Sequence, residues 1–287
     1  MSREAILAAV RAAGVVGAGG AGFPTHVKLD TSADTIIANG AECEPLLQVD
    51  RELLSQHLEE VLKGLEAAGK AVGAKQAYLA IKAKYVPLLS QCKAILASRS
   101  WVTIATLPDI YPIGDEQRLV YEVLGRRVPP RGIPIQVGVV VLNIETLYNV
   151  AKALDGQPVI ETHVTVNGAV AEAATWAVPV GTAIEDVLHQ AEPLSELTNL
   201  AIIQGGPMMG QLVEDLSQPV TKTTKGLIVL PQEHVVITRL KAKGTALRRA
   251  FNVCSQCTMC TDLCPRYLLG HPLWPHRIMR TMAGTGN

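Results

Sequence analysis

An excess of either charge is missing from this sequence, because 26 basic residues stand against 26 acidic ones. The balance removes the cationic surface that a nucleic-acid backbone requires, and no nucleic-acid partner is expected. Long hydrophobic runs are also missing. None reaches the roughly 18 residues that cross a bilayer, so no transmembrane segment is expected. Met1-Ser2-Arg3-Glu4 carries an acid and no long apolar stretch, which excludes a secretory signal and points to a cytoplasmic protein. Aromatic residues make up only 4% of the chain. A Gly-Lys-Ser/Thr ending is absent, which argues against a nucleoside-triphosphate loop. Cysteine is scarce outside one short stretch: four of the six fall within residues 254–264. That distribution is wrong for a disulfide framework and right for a metal or cluster site in a reducing compartment.

What is present is a 287-residue chain with 48% hydrophobic residues, rich in Ala, Val, Leu and Ile. Such a composition fits a globular α/β protein of about two domains. Its most distinctive stretch is Gly-Ala-Gly-Gly-Ala-Gly-Phe-Pro-Thr-His-Val-Lys at 17–28. Gly17, Gly19, Gly20 and Gly22 leave the backbone bare, able to lie against a flat ligand and to present N–H groups to an anion. Phe23 adds an aromatic face and Lys28 a cation. The string fits G-x-G-x-x-G, but no strand precedes it, and Phe23-Pro24 is expected to block the helix that should follow.

The chain then alternates. Residues 2–13 read as a helix with Ile6, Leu7 and Val10 inward, and 33–38 as a buried strand. That strand enters Asn39-Gly-Ala-Glu42-Cys43-Glu44-Pro45, two carboxylates and an amide at the strand end where open α/β sheets place ligands. A polar turn with solvated acids is the competing reading, and Cys43 reads as a small buried residue. One long helix is expected from Leu46 to Ala68, ended by Gly69 and Gly73. Further strands are expected at 76–81, 102–106 and 137–142, with helices at 85–98, through 124 and through 153. Cys92 reads as packing. Tyr111-Pro-Ile-Gly114-Asp115-Glu116 opens one of these helices, and Asp115 and Glu116 in its first turn either complement the dipole or bind ligand hydroxyls. Asn143 reads as an N-cap.

A boundary is expected near 156–158. Beyond it come an Asn167-Gly168 hairpin, a helix at 182–191, and strands at 200–203, 227–230 and 235–237. This is a small β-rich unit of β-grasp type, in which His163, His189 and His234 are scattered and not ligands. The end turns basic and helical with Lys243, Arg248 and Arg249, and leads into Cys254-x-x-Cys257-x-x-Cys260-x-x-x-Cys264-Pro265. Thiolates at three-residue steps fit the corners of one [4Fe–4S] cubane, whereas structural zinc usually draws two separated pairs. Cys264 either completes this cluster or serves a second one, for which the chain has no further Cys run. Residues 281–287 show no terminal element, and the chain reads as the front part of a longer protein.

Gly-Ala-Gly-Gly-Ala-Gly-Phe-Pro-Thr, Asn-Gly-Ala-Glu-Cys-Glu-Pro, Gly-Asp-Glu at 114–116 and Asn-Ile-Glu-Thr at 143–146 together resemble the flavin-binding subunit family of respiratory complex I. Within it they are most similar to Rnf-complex C subunits and to the cobalamin reductases of propanediol-utilisation microcompartments. Gly205-Gly-Pro-Met208 resembles a motif of the family's soluble-ligand-binding β-grasp (SLBB) domain. The start close to the glycine loop, and Cys-Pro-Arg-Tyr-Leu-Leu-Gly-His from 264, favour the cobalamin reductases over the Rnf subunits. The departure is the missing second cluster motif.

The resemblance implies a layered α/β domain for FMN and NADH over 1–155, an SLBB-like β-grasp domain over 156–240, and an incomplete iron–sulfur segment over 241–287. It implies that Gly17, Gly19, Gly20, Gly22 and Lys28 contact FMN and that Phe23 lies near the NADH ring or adenine. Asn39, Glu42 and Glu44 would border isoalloxazine and nicotinamide. Tyr111, Gly114, Asp115 and Glu116 would close the other wall, and Asn143 and Thr146 would hold the flavin phosphate. Leu142 stands where the complex I flavin protein often has a second Asn. The implied activity is NADH-dependent flavoprotein reduction of cobalamin through FMN and a [4Fe–4S] cluster, with an adenosyltransferase and microcompartment shell proteins as partners and the microcompartment as location. The alternatives are an Rnf-type electron-input subunit and a non-enzymatic binding module with structural zinc.

Overall fold

β1 (Thr35–Gly40) is buried on both faces along almost its whole length, and the first sheet is built around it. The computed structural model describes residues 1–242 and 245–284. α1 (Arg3–Ala12) and the short α2 (Thr25–Leu29) precede β1, and α3 (Val49–Gln56) and α4 (Leu58–Val72) follow it. Next come β2 (Gln76–Lys82), α5 (Val86–Leu96), β3 (Val102–Leu107), α6 (Glu116–Leu124), β4 (Val139–Asn143) and α7 (Ile144–Leu154). The four strands are parallel in the order β3-β2-β1-β4, with Thr35 opposite both Gln76 and Val139. Ile36 and Ala38 pack under α1, α3, α4, α5 and α7, whereas Ile37 packs with α6 on the other face.

Three helix expectations change. The helix expected over 46–68 is two helices, because His57 leaves helical geometry at φ −130°, ψ 32°. Leu54 and Leu58 are buried on either side of the break, so the apolar period runs through it and hides it. Gly69 does not end α4, which continues to Val72. Trp101 lies against Gly69 where a side chain would stand, and Gly73 at φ +73° makes the cap. Phe23-Pro24 does not block a helix. Pro24 is the N-cap of α2, a position that needs no donor N–H.

The second sheet holds β5 (Glu161–Gly168), β6 (Ala174–Pro179), β7 (Leu200–Gln204), β8 (Gln211–Leu212) and β9 (Gly226–Pro231) in the order β6-β5-β9-β7-β8. β5 and β9 are parallel and the other pairs antiparallel, and α8 (Ile184–Gln190) lays Ile184, Val187 and Leu188 on the sheet. This is a β-grasp arrangement. Asn167-Gly168 is not its hairpin turn. The β5–β6 pairing ends at Val166↔Ala174, and Asn167 and Gly168 continue beside Ile228 and Val229 of β9. At φ +106° Gly168 lies so close to the Val229 carbonyl that a Cβ would overlap it. The strand expected at 235–237 is helix α9 (Val235–Lys241), where His234 caps the Val236 N–H at 3.3 Å and Ile237 is buried. Tertiary packing there overrides three β-branched residues.

Four helices follow: α10 (Ala246–Val253), α11 (Met259–Asp262), α12 (Pro265–Leu268) and α13 (Pro275–Gly284). The last supplies the terminal element that was not expected. Lys243 and residues 285–287 lie outside the described residues.

Candidate cofactor cleft

β1 and β4 are neighbours whose C-terminal ends, Asn39 and Asn143, lie in register. The glycine loop crosses over these ends. It closes on itself through Gly17 N–H to Phe23 O at 2.8 Å and Gly22 N–H to Gly17 O at 3.0 Å. Ala18 N–H donates to Thr146 Oγ1 at 2.9 Å, and a Cβ on Gly19 would lie 3.4 Å from that of Asn143. On the opposite side, Asn39 Nδ2 donates to Gly114 O at 2.9 Å and Gly114 N–H to Cys43 Sγ at 3.0 Å. Cys43 is thus half-buried and bonded rather than a plain packing residue. Between these walls lies a cleft of about 350 Å³.

Of the expected residues, Gly17, Gly19, Phe23, Lys28, Asn39, Glu42, Glu44, Gly114, Glu116, Asn143 and Thr146 line the cleft. Gly20 lines an adjoining groove, which also takes in Gly19, Glu44 and the loop 205–210. Gly22 packs by Thr223, and Tyr111 stays 46% exposed outside the cleft lining. Asp115 is the N-cap of α6 rather than part of its first turn. It accepts from Gln117 N–H and Arg118 N–H, and its other oxygen accepts from Arg266 at 2.6 Å. Glu116 pairs with Lys28 at 2.8 Å across the cleft.

The floor is charged. Glu42, left-handed at φ +33°, accepts from Asp50 N–H at 3.1 Å and faces Arg51 Nε at 3.5 Å. Burial raises its pKa. Asp50 receives both its bonds from Asn143 Nδ2, at 2.9 and 3.0 Å. Burial first, then the nearby Glu42 charge, pushes its carboxyl up to about 7. Asn143 meanwhile caps α7 through Glu145 N–H at 3.0 Å, so both ends of its amide are engaged. Lys225 reaches the cleft from the second sheet and pairs with Glu145. Burial lowers its pKa to about 7 against the pull of Asp50 and Glu42. Glu145 also accepts from His163, at 2.7 Å from its N–H and 2.9 Å from Nδ1. The scattered histidine at 163 therefore belongs to this network, and burial keeps its pKa low. Glu44 reaches the second sheet's loop, accepting from Met208 N–H at 3.0 Å, and any side chain on Gly206 would overlap it.

Asp50, Lys225 and Glu145 were not among the expected residues. Asp50 offered one local signal, an acid in a helix's first turn shortly after Glu42. Lys225 offered none, since its place depends on how the two sheets meet.

The cleft fits a flavin nucleotide on its own chemistry. Among the described residues the N–H groups of Gly19, Gly20 and Ala21 meet no protein acceptor, and Thr25 Oγ1 and Glu44 Oε1 are buried without a hydrogen-bond partner. The thiols fit an iron–sulfur cluster by donor type. Cys254, Cys257 and Cys260 are exposed and Cys264 half-buried, and left-handed Gln256 and Thr258 curl the chain between them. The Met259 N–H lowers the Cys257 pKa. Among the described residues, no group of three His, Cys, Asp or Glu side chains is drawn together as a metal cage. Cys92 is buried packing, its thiol pushed up to about 11.

Comparison with known proteins follows the same division. Residues 10–152 match the Nuo51 FMN-binding domain, and residues 253–286 the 4Fe-4S dicluster domain. The chain is 46% identical over 275 residues to cobalamin reductase PduS of Citrobacter freundii, covering 95% of this chain and 60% of that protein. It is 33% identical over 276 residues to a component of the Na(+)-translocating ferredoxin:NAD(+) oxidoreductase complex of Acetobacterium woodii, covering 93% and 59%. Among solved structures, a chain of an NAD+-reducing [NiFe]-hydrogenase in the H2-reduced state superposes with TM-score 0.72 at 29% identity, covering 92% of this chain and 53% of that one. The chain thus spans about three fifths of the curated relatives it matches.

Proposed function

We propose that this chain, whose residues 10–152 match the Nuo51 FMN-binding domain, takes electrons from NADH at a flavin and passes them on through a thiolate-bound cluster. The observation that carries this reading is the cleft at the C-terminal ends of β1 and β4, roofed by a glycine loop with open N–H groups. FMN bound there would supply hydride acceptance and the splitting of an electron pair into single electrons.

The chain's own residues bind and orient. The loop of Gly17, Gly19, Gly20 and Gly22 would cradle the cofactor, with Lys28 as its cation and Phe23, 50% exposed, offering a face to nicotinamide or adenine. Asn39, Glu42 and Glu44 would border the ring side, and Gly114 and Glu116 the opposite wall. Asn143 and Thr146 would stand at the phosphate end, beside the N-terminus of α7. Cys254, Cys257, Cys260 and Cys264 would hold a [4Fe–4S] cluster. In this reading residues 1–155 serve FMN and NADH, 156–240 form the SLBB-like domain, and 241–287 carry the cluster.

Cobalamin is the proposed acceptor, supported by 46% identity to a cobalamin reductase. An adenosyltransferase and shell proteins are the proposed partners, and the interior of a microcompartment the proposed location. Among the described residues no helix is long and apolar enough to cross a membrane. The 33% identity to the Acetobacterium woodii protein supports a second reading, an electron-input subunit of a membrane ion pump. Stable co-purification with membrane subunits would favour that one.

The test is an anaerobic visible spectrum of flavin-supplemented protein before and after NADH, with iron, zinc and sulfide analysis. Flavin bands bleached by NADH support the proposal. A bound flavin that NADH leaves oxidised removes the nicotinamide assignment. No retained flavin, with zinc and no sulfide, leaves a binding module.

A further inference from the structure

The thiol-bearing segment is joined to α6, the helix beside the cofactor cleft, through Arg266. Arg266, two residues after Cys264, projects its guanidinium onto the N-terminal end of α6. One nitrogen donates to Asp115 Oδ2 at 2.6 Å and the other to Gln117 Oε1. Asp115 can hold that cation because its remaining oxygen caps α6, which fixes the carboxylate. The next residue, Glu116, faces the other way and pairs with Lys28 in the cleft. Consecutive carboxylates on one helix end therefore hold the cleft on one side and the thiol segment on the other. Two further contacts keep the segment in register: Leu269 is buried, and His271 Nε2 lies 2.9 Å from Val128 O. By contrast, Val253, Met259, Leu263 and Leu268 of the same segment are exposed, so burial contributes little to its attachment.

We propose that Arg266 is a positioning residue, clamping the thiol-bearing segment to α6 so that the cluster and the cofactor cleft keep a fixed separation. The clamp rests on the reading of cleft and thiols as flavin and cluster sites. A bidentate guanidinium suits the task, since its planar fork fixes orientation as well as distance, which an ammonium cannot do.

Two measurements on flavin- and cluster-loaded protein test this. Amide hydrogen exchange should quicken by about tenfold across 259–271 in Arg266→Ala, with the strands of the first sheet unchanged. In freeze-quench EPR after NADH, the reduced-cluster signal should appear severalfold more slowly in the same variant, because electron transfer falls off steeply as donor and acceptor move apart. Bleaching of the flavin bands, and the cluster signal obtained with dithionite, should match the unaltered protein. Arg266→Lys, which retains charge and one contact, should fall between. Unchanged exchange and cluster reduction in Arg266→Ala would overturn the clamp, as would an equal loss of flavin bleaching. If NADH does not bleach the flavin of the unaltered protein, the underlying reading fails instead, and the exchange comparison still decides the clamp.

Discussion

Lys225 stands among three carboxylates, those of Glu42, Asp50 and Glu145, and is paired to the last. Removing the cation leaves Glu145 buried and uncompensated, so Lys225→Met should cost about 3 kcal/mol in urea unfolding, near the low end for breaking a buried pair. A loss within 0.5 kcal/mol would show that the pair is balanced by its own desolvation. Asp50 has a pH signature. Its folded pKa of about 7 lies above the ordinary 3.8, so the fold binds this proton more tightly than the unfolded chain does. Its contribution to stability is complete below pH 3.8 and is lost as pH rises to about 7. Asp50→Asn should flatten the stability profile across that window; an unaltered slope in chemical denaturation would place the titration elsewhere. Glu44→Ala should weaken NADH-dependent flavin reduction more than flavin retention. It also frees Met208 N–H, so equal loss of both would mean that Glu44 acts by holding the β-grasp loop. Glycine, aromatic and acid positions around the cleft are legible in the chain because each sits in a short motif. Lys225 is not, because its neighbours come from α3, α7 and the loop after β1.

At the scale of elements, α4 and α7 meet so closely at Gly64 that a Cβ there would overlap the carbonyl of Leu147. Helix propensity alone favours Gly64→Ala by about 1 kcal/mol. The contact should reverse this sign, with a net loss of about 2 kcal/mol from overpacking, read as a lower unfolding midpoint. A stabilised variant would mean that the two helices can move apart at no cost. Strand and helix periods locate most elements of the first sheet, since β1 is buried on both faces and the helices carry clear apolar stripes. They miss the break at His57, where the stripe continues across two helices, and the helix at 235–241, where β-branched residues are outvoted by a cap at His234 and the burial of Ile237.

On the scale of the whole molecule, the cleft and the thiol segment touch through α6 but do not share lining residues. Stripping iron with a chelator should therefore leave flavin affinity within about twofold, followed by flavin fluorescence; a larger loss would mean that the loaded segment shapes the cleft. The sequence by itself determined the glycine loop, the acid-rich strand ends, the thiol spacing and the alternation of strands with helices. Each is a local pattern imposed by backbone freedom, ligand chemistry or burial period. Only the tertiary structure decided that Asp115 caps α6 and holds Arg266, that Glu44 turns to the second sheet, and that Lys225 and His163 join Glu145 beneath the cleft. Those roles depend on which distant segments come into contact, and packing of the two sheets and the terminal helices, not any short motif, settles that.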